Sequence, residues 1–195
     1  TEPVGLTDLR WPRRTARLEL RPFTIADAEA VFAYRSLPEV GQWLSGLLTD
    51  VESLRARAAD WQSAQLVMLH QGEVVGDLMF RIEDAWAQAE VAEHGRGVQA
   101  ELGWVVAPWA QGRGFAREGI AELLVVAFDE LGLRRVTANC FAANEASWRL
   151  MEAFGMRREL HAVAESLHRD DGWLDGYGYA LLADEWRERR RPNAV

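Results

Sequence analysis

The sequence predicts an α/β protein, because segments with strand-like patterns alternate with segments patterned as helices. Residues 101–106 are apolar and β-branched enough for a strand, and a glycine-rich turn follows them. The turn leads into an apolar stripe at helical spacing: Ile120, Leu123, Leu124, Ala127, Phe128 and Leu131. A strand pattern at 135–141 and a helix pattern at 144–155 repeat this order. With 195 residues, the chain is long enough for one domain with a substantial core.

The beginning of the chain predicts a surface arm, a short strand and a helix. Residues 1–13 carry two prolines and a mixed composition, which is typical of an arm lying on the surface. Residues 16–21 have the pattern of a short strand. Thr24, with Asp27 three residues later, is the expected cap of a helix that continues to Ser36.

The next segment predicts a helix, a hairpin and a long loop. Residues 49–52, Thr-Asp-Val-Glu, match a capping box ahead of a helix over 51–64. Strands at 65–70 and 74–82, joined by a Gln-Gly turn, predict a hairpin. Residues 83–97 form a loop longer than a tight hairpin needs, which indicates either a binding role or a plain surface excursion.

The strand expected after the central helix alternates between two faces: Val136, Ala138 and Cys140 on one, Thr137 and Asn139 on the other. Because it shares a face with small apolar residues, Cys140 is expected to be a core residue rather than a nucleophile. A single cysteine also excludes an intramolecular disulfide and a cysteine-built metal site. The four histidines show no metal spacing, so no metal is expected.

The composition indicates an ordinary globular protein with an acidic surface. The net charge of −8 argues against a nucleic-acid partner and favours a cationic one. No apolar run reaches the length of a membrane helix, and the N-terminal residues lack the apolar core of a signal peptide. We therefore expect a cytoplasmic protein without a membrane partner.

The turn at residues 108–117 is the most informative stretch of the chain. A glycine-rich turn at the start of a helix gathers unpaired backbone N–H groups and the positive helix end, which together favour a phosphate. Gly112 and Gly114 allow a ligand to approach the backbone closely. Arg117 replaces the third glycine of the dinucleotide fingerprint, and the Gly-Lys-Ser/Thr ending of NTPase loops is absent. Once these two motifs are excluded, the turn still contains a Gln-x-x-Gly-x-Ala pattern that starts at Gln111. The alternative to a phosphate-binding loop is a glycine turn that merely connects the strand to the helix.

This pattern resembles the pyrophosphate loop of the GNAT acyltransferases, which bind the diphosphate of acetyl-CoA. The Asn-x-x-Ser…Gly pattern of residues 144–156 and the closing strand and helix at 171–186 resemble the same family. Residues 15–29 resemble the opening of its ribosomal-protein N-terminal acetyltransferase branch. The resemblance covers residues 14–187 as a single acyltransferase domain, between the N-terminal arm and a C-terminal tail at 188–195.

The resemblance implies a mixed α/β sheet of six or seven strands, flanked by helices and splayed between the fourth and fifth strands. The pantetheine arm of acetyl-CoA would enter this gap from one side and the acceptor amine from the other. Acetyl-CoA is thus the implied acyl donor, and a homodimer is an expectation from resemblance. The implied cofactor-binding residues are Trp104, Val105, Val106, Gln111, Gly112, Arg113, Gly114, Phe115, Ala116, Arg117 and Asn144.

Two residues are candidates for the proton transfers of acyl transfer. Glu101 is the expected general base, with a structural ion pair as the alternative. Many family members protonate the leaving thiolate with a tyrosine whose position here is Met151, so Ser147 inherits this role, as in the ribosomal-protein branch. A helix cap is the alternative role of Ser147. Tyr177 and Tyr179 are back-up proton donors.

The resulting hypothesis is an N-acetyltransferase that moves an acetyl group from acetyl-CoA to a primary amine by direct attack in a ternary complex. The acceptor is either a protein N-terminus or a small cationic amine. A catalytically inactive CoA-binding sensor or interaction module is the alternative, favoured by Met151 in place of the tyrosine.

Overall fold

The computed structural model describes residues 5–191, in which strands and helices alternate along the chain. The chain divides into two compact units. The first holds the described residues up to Ile82 together with Leu102–Val126; the second holds Glu83–Glu101 and the described residues from Ala127 onward. The predicted α/β class is confirmed, but the described chain contains eight strands where six or seven were expected.

The first unit is built on antiparallel strand pairs. Its strands are β1 (Arg13–Arg14), β2 (Glu19–Pro22), β3 (Gln65–His70), β4 (Glu73–Glu83) and β5 (Gln99–Val106), in that order across the sheet. Strand β1 pairs antiparallel with β2, β2 with β3 and β3 with β4, and β5 enters this unit at Leu102. The β3–β4 hairpin confirms the prediction, with Gln71 and Gly72 both at positive φ in its turn.

The helices of the first unit include the one that follows the glycine turn. They are α1 (Ala28–Arg35), α2 (Pro38–Gly41), α3 (Val51–Ala56), α4 (Ala58–Ala64) and α5 (Phe115–Val125). Helix α5 lies unusually close to the sheet, because a Cβ atom on Gly119 would stand 2.8 Å from Leu78 and 2.9 Å from Met68. Phe115 and Ile120 are buried on the same helix. This close packing fixes the position at which α5 begins.

The second unit carries three long strands beside the start of β5. They are β6 (Arg135–Phe141), β7 (Arg157–His168) and β8 (Gly172–Leu182), and the strand order is β5-β6-β8-β7. Strand β8 pairs antiparallel with both neighbours. Helix α6 (Glu145–Ala153) follows β6, and α7 (Ala183–Arg190) follows β8. Strand β6 has the predicted bounds. Gly155, at φ 79°, follows the last turn of α6 and stops the helix as predicted.

The extra strands were missed for identifiable reasons. Strand β1 is two residues long and exists only because Arg13 and Arg14 pair with Leu20 and Glu19, so it leaves no periodic pattern. Strand β7 is mostly exposed on both faces and therefore lacks the apolar alternation that marks a half-buried strand.

Three predictions for the first 64 residues were wrong: the start of a strand, the continuity of a helix and the cap of that helix. Strand β2 starts at Glu19, because residues 15–18 make a turn in which Thr15 N donates to Leu18 O at 2.9 Å. The helix expected over 51–64 is broken at Arg57, where the backbone leaves helical geometry at φ −95° and ψ 6°. Its cap is Asp50 rather than Thr49: the Asp50 carboxylate accepts from Ser53 N at 2.7 Å. Both residues suit a cap, and the helical register that packing selects decides between them.

The predicted arm, long loop and tail contain more structure than expected. Of the arm, residues 1–4 lie outside the described residues, whereas Leu6 is buried and its carbonyl accepts from Trp11 Nε1 at 2.8 Å. The long loop holds a 3-10 helix at Ala89–Gly95. Residues 192–195 of the predicted tail are also outside the described residues, and α7 continues to Arg190. The domain boundaries at 13 and 187 stay predictions.

Candidate functional site

The glycine turn of the first unit presents open backbone at the start of α5. Gly112 and Gly114 have φ values of 74° and 78°, in the left-handed region that favours glycine. A Cβ atom on Gly112 would meet nothing within 4 Å, and one on Gly114 would meet only Arg17 Nη2 at 3.5 Å. Gly114 is the N-cap residue of α5 and has no side chain with which to cap it. The first N–H groups of the helix are therefore available to an anion.

A network of side chains holds this turn from behind. Arg17 donates from Nη1 to Arg113 O at 2.8 Å and from Nε to Glu118 Oε2 at 2.7 Å. Thr15 Oγ1 donates to the other oxygen of Glu118 at 2.6 Å. Burial raises the pKa of Glu118, but the hydrogen bonds from Thr15 and Arg17 outweigh burial and lower it. The guanidinium groups of Arg17 and Arg113 lie 4.8 and 4.7 Å from the Phe115 ring centroid.

Among the predicted cofactor residues of this unit, Gln111 has a structural contact. Its Nε2 donates to Val106 O at 3.1 Å, so the side chain ties the turn back to the end of β5. Trp104, Val105 and Val106 lie half-buried on β5. Ala116 and Arg117 belong to the first turn of α5.

In the second unit, the predicted base has a partner that sequence reasoning missed. Asn139 Nδ2 donates to Glu101 Oε1 at 2.9 Å, across 38 positions of the chain. A Cβ atom on Gly178 would stand 3.0 Å from Asn139 Oδ1, so the glycine leaves room for this amide. Asn139 was placed on the polar face of its strand, which was the only local signal of a role.

The start of α6 brings the other two predicted residues of the second unit together. Asn144 is the N-cap residue of α6 and makes no side-chain capping bond, and Ser147 N donates to its carbonyl oxygen at 3.1 Å. The Ser147 hydroxyl lies near enough to the Cys140 thiol to influence its pKa. Burial raises the pKa of the Cys140 thiol to about 11, against a lowering by Ser147, which disfavours a nucleophilic thiolate at neutral pH. Met151 is buried in the core.

The two back-up donors differ in their surroundings. Tyr179 is 2% exposed and donates its hydroxyl proton to Glu152 Oε1 at 2.8 Å. Burial, together with this carboxylate, raises the pKa of Tyr179 to about 12. Tyr177 is half-buried and packs edge-on against Trp148 and His161, with ring centroids 6.3 and 5.0 Å away.

Among residues 5–191, no group of three or more His, Cys, Asp or Glu side chains could hold a metal ion. No helix among those residues is long and apolar enough to cross a membrane.

Comparison with known families decides the class of the protein. Residues 17–157 match the family model described as an acetyltransferase (GNAT) domain. The chain belongs to the GNAT acetyltransferase family. The family assignment made from the glycine turn and the Asn-x-x-Ser pattern is thereby confirmed, and the chain is an N-acetyltransferase.

Individual relatives agree with this assignment over most of their length. YnaD of Bacillus subtilis, named an uncharacterized N-acetyltransferase, is 28% identical over 177 residues, covering 88% of this chain and 97% of that protein. YoaA of the same organism, named likewise, is 34% identical over 157 residues, covering 74% and 82%. A GNAT-family acetyltransferase structure from Bacillus anthracis matches with a TM-score of 0.75 and 29% identity, over 90% of this chain and all of that one.

Proposed function

We propose that this GNAT protein transfers an acetyl group from acetyl-CoA to a primary amine by direct attack in a ternary complex. The observation that carries the proposal is the open glycine turn at the start of α5. The N–H groups there are not capped by a side chain, and Gly112 and Gly114 carry no side chains that would block a ligand. Such a site suits the diphosphate of acetyl-CoA. Arg113 and Arg117 add positive charge on the exposed side of the turn.

The donor half of the site divides into residues that contact the cofactor and one that shapes the turn. Backbone N–H groups from Gly112 to Arg117 would hold the diphosphate, while Trp104, Val105 and Val106 would bond the pantetheine arm and polarise the thioester carbonyl. Gln111, whose Nε2 donates to Val106 O and so also shapes the turn, is proposed to contact the cofactor as well. Asn144, whose side chain is not used for capping, is the proposed contact of the second unit with the arm.

Glu101 is the proposed general base, and its importance depends on the acceptor. A lysine amine has a reference pKa of about 10.4, so neutralising it at pH 7 costs roughly 4–5 kcal/mol, whereas an α-amine near 8 costs about 1 kcal/mol. The carboxylate that accepts from Asn139 could take this proton directly or through one water. Loss of Glu101 should therefore matter most for strongly basic amines.

Ser147 is the proposed donor of the proton that the CoA sulfur takes when the C–S bond breaks. Its neighbour at the usual tyrosine position, Met151, is buried and has no proton to give. A thiol with a reference pKa near 8.5 is a tolerable leaving group, so we expect a modest contribution, about 10- to 100-fold in kcat.

A cationic acceptor fits the charge of the chain. The net charge of −8 favours a protein N-terminus or a small polyamine-like or aminoglycoside-like amine over an acidic substrate. Membership of the ribosomal-protein N-terminal branch, cytoplasmic location and a homodimeric state belong to the proposal as well.

The test is amine-dependent release of free CoA from acetyl-CoA, corrected for hydrolysis, over a panel of α-amines, lysine side chains and small polyamines. Release with at least one amine supports the proposal. Tight binding of acetyl-CoA without release for any amine would instead favour the inactive sensor. No binding of acetyl-CoA at all would overturn the assignment of the glycine turn.

A further inference from the structure

A serine hydroxyl is too weak an acid to leave an alkoxide behind, so Ser147 needs a source from which its proton is replaced. The neighbourhood of Ser147 in the second unit offers one. Ser147 lies near the Cys140 thiol, whose pKa it lowers, and Cys140 lies directly opposite Tyr177 in the β6–β8 pairing. Trp148, the residue after Ser147, packs against the Tyr177 ring with centroids 6.3 Å apart. The contact between the two rings therefore places Tyr177 beside the start of α6, and the strand pairing places it beside Cys140.

The Tyr177 hydroxyl is available for this purpose, and that of Tyr179 is not. Tyr179 donates to Glu152 at 2.8 Å and is buried. The Tyr177 hydroxyl makes no hydrogen bond within residues 5–191. The Arg158 guanidinium lies over the Tyr177 ring, 4.4 Å from its centroid, where a cation stabilises a transient phenolate.

A histidine–aspartate pair adjoins the same ring. His161 lies directly opposite Tyr177 in the β7–β8 pairing, with ring centroids 5.0 Å apart. Its Nε2 is 2.6 Å from Asp175 Oδ2, and the His161 side chain is 48% exposed. The pair is thus in contact with solvent on one side and with Tyr177 on the other.

The backbone is distorted where it supports this pair. Ala164 adopts φ 47°, a left-handed conformation that a residue with a side chain rarely takes, within a register shift between Ala162 and Ser166. The distortion points Ala164 N at the free oxygen of Asp175, at 2.8 Å. This N–H and His161 lower the pKa of Asp175. Both oxygens of the carboxylate are therefore held, which orients the imidazole in the way that a general acid–base pair requires.

We propose that Tyr177 replaces the proton that Ser147 gives to the CoA sulfur, and that His161, oriented by Asp175, replaces the proton of Tyr177. The relay rests on the proposed acetyl transfer. As the C–S bond breaks, its electron pair goes to sulfur, which takes the Ser147 proton. Ser147 takes the Tyr177 proton, directly or through one water, and the phenolate takes one from the His161 imidazolium. The imidazole then recovers a proton from solvent, so that atoms and charge balance.

The test compares Tyr177→Phe with Tyr179→Phe, a matched control two residues away on the same face of β8. The first variant keeps the ring contacts and removes the hydroxyl alone. We expect kcat to fall about 10- to 100-fold, as for Ser147→Ala, with unchanged affinity for acetyl-CoA and unchanged stability. The double variant Ser147→Ala/Tyr177→Phe should be no slower than the slower single variant, because both remove one path. Tyr179→Phe should change kcat less than twofold.

His161→Gln tests the second step, because the glutamine amide can still donate a hydrogen bond to Asp175 but is far too weak an acid to give up a proton. Its kcat should fall like that of Tyr177→Phe, and imidazole added to His161→Ala should restore part of the rate, since the site is exposed. A parent enzyme that is active while Tyr177→Phe keeps its full kcat would overturn the relay and leave the proposed function intact. The relay would also be overturned if kcat of the double variant fell by the product of the two single-variant losses, because the two hydroxyls would then act independently. A parent that releases no CoA with any amine would instead count against the proposed function.

Discussion

Replacing Gly114 with valine should abolish acetyl-CoA binding while leaving most of the folding free energy in place. Gly114 holds φ 78°, and a β-branched residue in this region costs on the order of 1–3 kcal/mol, against a typical domain stability of about 5–15 kcal/mol. The valine methyl groups would occupy the space that the diphosphate needs above the uncapped helix start. We expect at least a 100-fold loss of affinity, roughly 2.7 kcal/mol.

Isothermal titration calorimetry with acetyl-CoA measures this loss, and denaturant unfolding measures the strain. The matched control is Gly132→Val, because Gly132 has φ 63° and nothing within 4 Å of an added Cβ. The control should lose similar stability and keep its affinity. If Gly114→Val bound acetyl-CoA as tightly as the parent, the turn would not be the diphosphate site. Equal losses of affinity in both variants would show that backbone strain alone, without any blocked ligand, explains the effect.

Further expectations concern the base, the charge, a buried ion pair and acid stability. Glu101→Gln should lower kcat/KM for the acceptor and remove the acid limb of its pH profile, with a larger loss for lysine-like amines than for α-amines. At saturating acetyl-CoA, kcat/KM for a cationic acceptor should fall as salt is added, if the acidic chain attracts that acceptor. Arg35→Ala should lower the free energy of unfolding, measured in urea, by roughly 3–5 kcal/mol. The Arg35 guanidinium donates two hydrogen bonds, at 2.9 and 2.6 Å, to the Asp77 carboxylate, which is only 1% exposed and would be left buried without this cation. Hydrogen bonds from arginine side chains lower the pKa of Glu159 to about 2, whereas its value in the unfolded chain is near 4.3. The ionised carboxylate therefore stabilises the fold at pH values above about 4.3, and this contribution is lost as the pH falls toward 2. The stability gap between the parent and Glu159→Gln should therefore close over this range.

Each of these expectations has a contrary outcome. An unchanged acid limb in Glu101→Gln would place the base elsewhere, and a flat salt response would limit the negative charge to solubility. A loss below about 1 kcal/mol for Arg35→Ala would mean that water or another donor satisfies the buried carboxylate. A constant stability gap for Glu159→Gln between pH 5 and pH 2 would refute a lowered pKa.

Much of the donor half of the site could be predicted, because its signals are local. The strand, the two glycines and the helix stripe that form the turn lie within about thirty consecutive positions, and short-range backbone geometry decides their structure. Strand β6 and the end of α6 near Gly155 were predictable for the same reason. The contact of Gln111 with Val106 O was not predictable, because it depends on the path of the turn.

The sequence by itself determined the class of the protein. The glycine turn, the Asn-x-x-Ser start of a helix and an acidic residue on a strand together form an acyltransferase pattern, and each of these features is encoded within a few residues. Only the tertiary structure decided which side chains lie beside them. Asn139 meets Glu101 across 38 positions, and Tyr177 meets the start of α6 through the ring of Trp148. Strand β7, which carries His161, lacks the alternation of apolar residues from which a strand could have been predicted. Such contacts depend on which strands become neighbours, and the burial of apolar surface over the whole chain selects that arrangement rather than the local pattern around any one residue.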